Sequence, residues 1–103
     1  MKEIDTRIIS VKENLEKLLM KVKALNFSED SIIELGAIKL EAERITKKIG
    51  RSRYGKFCLN ELKQVDSDEF YDMFKRPSKE TFTSAQCEFE FILKDCIAGR
   101  ING

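Results

Sequence analysis

Between Arg44 and Asn60 the chain carries Arg44, Lys47, Lys48, Arg51, Arg53 and Lys56, no acid, and Tyr54 among the cations. Guanidinium and ammonium groups in such a run can contact phosphates, and a tyrosine ring can stack on a base. The tract reads as a basic helix end followed by a glycine-flanked basic loop. Those six cations and Tyr54 are the candidate phosphate or nucleic-acid residues. The composition has an ordinary explanation too, because cations favour a helix C-terminus. Ile45 to Arg53 also approaches a helix-turn-helix, with Gly50 in the turn and Ile45, Ile49 and Leu59 at apolar positions. Arg51 and Lys56 stand where that unit packs apolar side chains, and Gly55 would weaken its second helix by about 1 kcal/mol. A base-reading unit is therefore not expected.

Other reactive types are sparse. The chain has no histidine, which excludes histidine-based triads, general bases and zinc sites. Cys58, Cys87 and Cys96 lack metal-type spacing and a partner base. On one helix, Cys87 and Cys96 would lie about 13 Å apart along the axis and on opposite faces, too far for a disulfide. Three reduced, mostly buried thiols are expected. Asp66, Asp68, Glu69 and Asp72 lack the glycine and ligand continuation of a calcium loop and read as acids at a helix start. Pairs such as Glu13/Glu16 and Glu34/Glu41 read as surface charge ladders. Neither catalysis nor a metal or other cofactor is expected.

A different candidate is apolar. Ile9, Met20, Ile33 and Leu40 fall off the main hydrophobic lines of their helices. They are either core covered by other helices or a face that binds a protein partner.

The elements that must position these residues are helices. Ile4, Ile8, Val11, Leu15, Leu18, Val22 and Leu25 follow one another at alternating spacings of four and three. Such a seam must be buried against another helix. It predicts a first helix over about Glu3–Leu25. Ser28 is the expected N-cap of a second helix reaching about Ile49, with Glu29 and Asp30 suited to the positive end of its dipole. Leu35, Ile38, Ala42, Ile45 and Ile49 form its seam, Ile33, Ala37 and Leu40 a second apolar line, and Gly50 its C′ residue. The link is two or three residues, so an antiparallel hairpin is expected, with the second helix as the first partner of the first.

Lys56–Val65 can form a short helix through Phe57, Leu59 and Leu62. Asp66 is the expected cap of another, with Glu69 as capping-box partner and Phe70, Tyr71, Met73 and Phe74 as its apolar side. Pro77 ends it. A last helix from Ser78 or Thr81 to Ala98 buries Phe82, Ala85, Phe89, Ile92 and Cys96 and stops at Gly99. Residues 86–91 also alternate as a strand does, but the longer window fits the helical period and no second strand is available to pair.

At 103 residues the chain is long enough for one real core. The net charge of +1 argues against a wholesale polyanion binder, so a nucleic-acid role would need a local patch. The first residues carry early acids and lack a secretory core, and no apolar run approaches the length of a membrane span. The expectation is an all-α, soluble, cytoplasmic protein of a single domain (1–103), a helical hairpin (1–50) packed by two or three shorter helices (51–103) as a four- to five-helix bundle. The expected function is a non-catalytic protein–protein interaction module, a small adaptor, inhibitor or regulator that self-associates as a homodimer through helical, coiled-coil-like faces. A small nucleic-acid-binding regulator using residues 44–56 is the runner-up.

Overall fold

A computed structural model describes residues 6–65 and 68–99. Among the described residues there are five helices and no strand: α1 (Thr6–Ala24), α2 (Glu29–Lys47), α3 (Arg53–Gln64), α4 (Asp68–Lys75) and α5 (Lys79–Ala98). The molecule is elongated, 51 × 22 × 18 Å, and its buried side chains form one cluster fed by all five helices.

The α1 seam is buried at Ile8, Val11, Leu15, Leu18 and Val22, as its spacing demands. Ile4 and the expected start at Glu3 lie outside the described residues. The helix ends at Ala24, and Leu25 is half-buried beyond it. Helix α1 touches α2, but α5 covers more of it, so the second helix is not its main partner. The Gln86 amide on α5 donates to the carbonyls of Val22 (2.7 Å) and Leu25 (2.9 Å). At the other end Lys12 Nζ donates to Gly99 O (2.6 Å). These two ties set α1 and α5 antiparallel and bring side-chain donors to the carbonyls at their ends.

Ser28 caps α2 through its Oγ, which accepts from Ser31 N (3.0 Å). The seam residues Leu35, Ile38, Ala42, Ile45 and Ile49 are all buried, and Ile32 joins them. Gly50 is not the left-handed C′ residue expected, since no described glycine has positive φ. Lys48, Ile49 and Gly50 instead donate to carbonyls three residues back, tightening the helix end into a 3₁₀-type turn.

That turn explains why α3 starts at Arg53 and not at Lys56. Ser52 caps it, accepting from Gly55 N (2.9 Å), and the first turn of α3 folds directly onto the α2 end. A Cβ on Gly55 would stand 1.9 Å from Ile49 O. The glycine read from sequence as a weak point is what permits the contact. The buried side of α3 is Tyr54, Cys58 and Leu62, whereas Phe57 is exposed and Leu59 half-buried.

Helix α4 inserts Phe70 and Met73, and the Phe70 ring meets Phe89 edge-on at 5.8 Å. The expected Asp66 cap lies outside the described residues. Ser78 and Thr81 form a reciprocal capping box at the start of α5. Residues 86–91 lie within that helix, with Phe89 buried and Phe91 exposed.

Candidate functional site

An apolar groove runs between α2 and α4. Ile33 and Leu40 on α2 project into solvent, 69% and 64% exposed, because the helix spends its other face on the core. Gly36 lies between them. With no Cβ there, Phe74 of α4 settles over the backbone, its ring 3.0 Å from where a Cβ would be. Tyr71 and Phe74 complete the rim, 59% and 51% exposed. The hollow they enclose with Phe70 is about 600 Å³. Lys75 holds Tyr71 in place, its ammonium 3.1 Å from the hydroxyl and 5.2 Å from the ring centroid. Lys39 reaches Glu43 at 3.3 Å at the edge of the groove.

Of the apolar residues singled out in the sequence, Ile33 and Leu40 therefore share one site. Ile9 (40% exposed) and Met20 (72%) lie on α1 and do not line it. Tyr71 and Phe74, expected as the buried side of α4, are the groove residues that the sequence did not mark. Spacing cannot separate them from Phe70 and Met73, because the packing of α4 on α5 decides which side of α4 is covered.

The basic tract divides. Lys47, Lys48 and Arg51 line a cleft of about 500 Å³ with Gly50 and Ser52, and Arg7 of α1 joins them from the other end of the sequence. Arg53 and Lys56 are exposed on α3. Arg44 is engaged by Glu41 through two hydrogen bonds, with Nε 2.9 Å from Oε1. That contact lowers the Glu41 carboxyl and raises the Arg44 guanidinium from their ordinary values. Tyr54 is corrected outright. It is 2% exposed, its hydroxyl donates to Cys96 O, and the Lys12 ammonium lies 5.0 Å from its ring centroid, so it offers no face to a base. Burial, then its hydrogen bond with Cys58, push the phenol far above its ordinary range.

Behind Tyr54 lies a thiol pair. Cys58 and Cys96 are fully buried, and each sulfur faces the carbonyl of the other residue, at 4.0 and 3.9 Å. The Cys58 hydrogen bond and burial push the Cys96 thiol up. Hydrogen bonding from Cys96 lowers Cys58 against its burial. The two lie 38 residues apart on different helices, so no local spacing announces them. Cys87 is exposed, so two of the three thiols are buried.

Comparison with known protein families, curated proteins and solved structures gives no match. The surfaces of this chain must therefore be read on their own chemistry. Among the described residues, no group of three histidine, cysteine or acidic side chains is arranged to hold a metal ion. No described helix is long and apolar enough to cross a membrane. Glu69 and Asp72 meet Glu80 at a shallow cleft of about 240 Å³ near the start of α5. The side chain of Asp68, like the whole of Asp66, lies outside the description.

Proposed function

We propose that the protein is a non-catalytic interaction module that docks through the α2–α4 groove, and that its first occupant is a second copy of the same chain. The observation that carries this reading is the gathering of Ile33, Leu40, Tyr71 and Phe74, all more than half exposed, around one hollow. No described element covers it. An isolated exposed leucine is unremarkable, but a contiguous apolar patch marks an interaction surface. The face carries both a hollow and projecting side chains, the two features that a two-fold interface brings together.

Magnitudes set the kind of dimer. Finishing the burial of these side chains supplies about 10 kcal/mol for two copies, at roughly 1.5–3 kcal/mol for each fully buried residue. Association costs about 4–15 kcal/mol. The balance describes a reversible dimer that responds to concentration, a property suited to an adaptor or regulator whose groove is also open to the apolar face of another protein's helix. Three free cysteines, two of them adjacent, accord with the reducing cytoplasm. Light scattering across a concentration series tests the reading. The mass is expected to rise from the 11.9 kDa monomer toward twice that value. A mass that stays monomeric up to about 1 mM, where even a 4.1 kcal/mol association would show, overturns self-association.

A further inference from the structure

The cleft at the α2–α3 corner is a second surface, independent of the groove. Four cations converge on it from two separate parts of the chain, Arg7 from α1 and Lys47, Lys48 and Arg51 from the end of α2 and the α2–α3 turn, and among the described residues no acid lines it. Ile49, Gly50 and Ser52 complete its lining. The cleft lies against the start of α3, whose first turn holds no acid. Ser52 already satisfies the Gly55 amide, while the amides of Arg53 and Tyr54 belong to the helix start that has no intrahelical acceptor. The partial positive charge of a twelve-residue helix thus adds to the four side chains.

The cationic cleft is a local feature of a nearly neutral molecule. The net charge is only +1, and the acidic cleft of Glu69, Asp72 and Glu80 lies near the start of α5. Because α1 and α5 are antiparallel, that is the end of the bundle away from Arg7. The chain is a 51 Å rod, and the cationic cleft lies toward the end away from that acidic cleft.

Two features favour a polymer over a small anion. All four cleft cations are exposed, so nothing encloses a small ligand. Arg53 and Lys56, one helical turn apart, continue the positive surface along α3 beyond the cleft. With Tyr54 buried, the tract's one tyrosine cannot stack on a base, and the contact is to phosphate alone. We propose that Arg7, Lys47, Lys48 and Arg51, extended by Arg53 and Lys56, bind the phosphodiester backbone of a nucleic-acid duplex without reading its sequence.

Fluorescence anisotropy of the full chain with a labelled DNA duplex of about 20 base pairs tests this, over roughly 50–200 mM NaCl. Four to six phosphate contacts give a log–log salt slope of about −4 to −5. Arg7→Gln and Arg51→Gln are each expected to weaken binding several-fold and to make the slope shallower by about 1. Lys79→Gln, at the far end of α5, should leave both unchanged. The Arg7 variant matters most, because Arg7 belongs to the cleft in space but not to the tract in sequence. Circular dichroism of each variant guards against misfolding, and Arg7→Lys should restore most of the binding. Absence of binding at about 50 mM NaCl, or equal losses from Arg7→Gln and Lys79→Gln, overturns the proposal. Displacement of the duplex by inorganic tripolyphosphate at equimolar concentration also overturns it, in favour of a small-anion site.

Discussion

Phe74 of α4 lies over Gly36 of α2, its ring 3.0 Å from the place a Cβ would occupy. The contact fixes one wall of the apolar groove by an absent side chain. Gly36→Ala should add about 1 kcal/mol of helix propensity and displace Phe74 by a few tenths of an ångström, effects that largely cancel in stability. Self-association should weaken. Thermal melts paired with sedimentation of the variant check both halves of this expectation, and an unchanged dimer would show that the groove wall plays no part.

The other decisive glycine behaves differently. At Gly55 the obstacle is backbone, the Ile49 carbonyl, which cannot swing aside as a phenyl ring can. Gly55→Ala should destabilise the fold by about 1–3 kcal/mol or more despite its better helix propensity. Urea denaturation gives the answer, and a variant as stable as the parent would contradict the close packing of α3 on the α2 turn.

These two glycines also mark the boundary of what the sequence reveals. The α1 and α2 seams and the Ser28 cap are local patterns, and local patterns carry the helical class and most element ends. Propensity marks Gly55 as a weak helix residue because it ignores the carbonyl pressed against it. The cations around Tyr54 suggest a stacking platform, yet its position four residues before Cys58 places it on the buried side of α3. Ile33 and Leu40 were legible as off-seam residues. Tyr71, Phe74 and Arg7 join their sites only through the packing of helices distant in sequence, which no spacing encodes.

Tyr54 gives a pH prediction. Its phenol is held neutral in the fold, above the ordinary value of 10.0 that it regains on unfolding. The native state therefore keeps a proton that the unfolded chain loses, and stability falls as pH rises above that value. Below it the contribution is complete. Alkaline unfolding should begin above about pH 10 and become shallower in Tyr54→Phe. That variant should also lose about 1–3 kcal/mol at neutral pH, because the buried Cys96 carbonyl forfeits its hydroxyl donor. Ultraviolet phenolate absorbance followed against pH should show one tyrosine titrating only with unfolding. Two tyrosines titrating together in the folded protein would refute the buried assignment.

Thiol chemistry separates the three cysteines. Cys87 is exposed on α5, while Cys58 and Cys96 are sealed beneath Tyr54. A disulfide reagent should modify Cys87 quickly in the native protein and the other two only at the rate of unfolding. Peptide mapping after timed labelling reads this order directly. Rapid native labelling of Cys58 would be incompatible with the packing of α3 on α5.

The most direct measurement is sedimentation equilibrium of the parent and of the double variant Ile33→Glu with Leu40→Glu, each verified as folded by circular dichroism. Both side chains are more than 60% exposed in the single chain, so the charges should leave the fold intact. The groove reading predicts a concentration-dependent dimer for the parent and a folded monomer for the variant. A double variant that still dimerises like the parent, or one that unfolds, would contradict it.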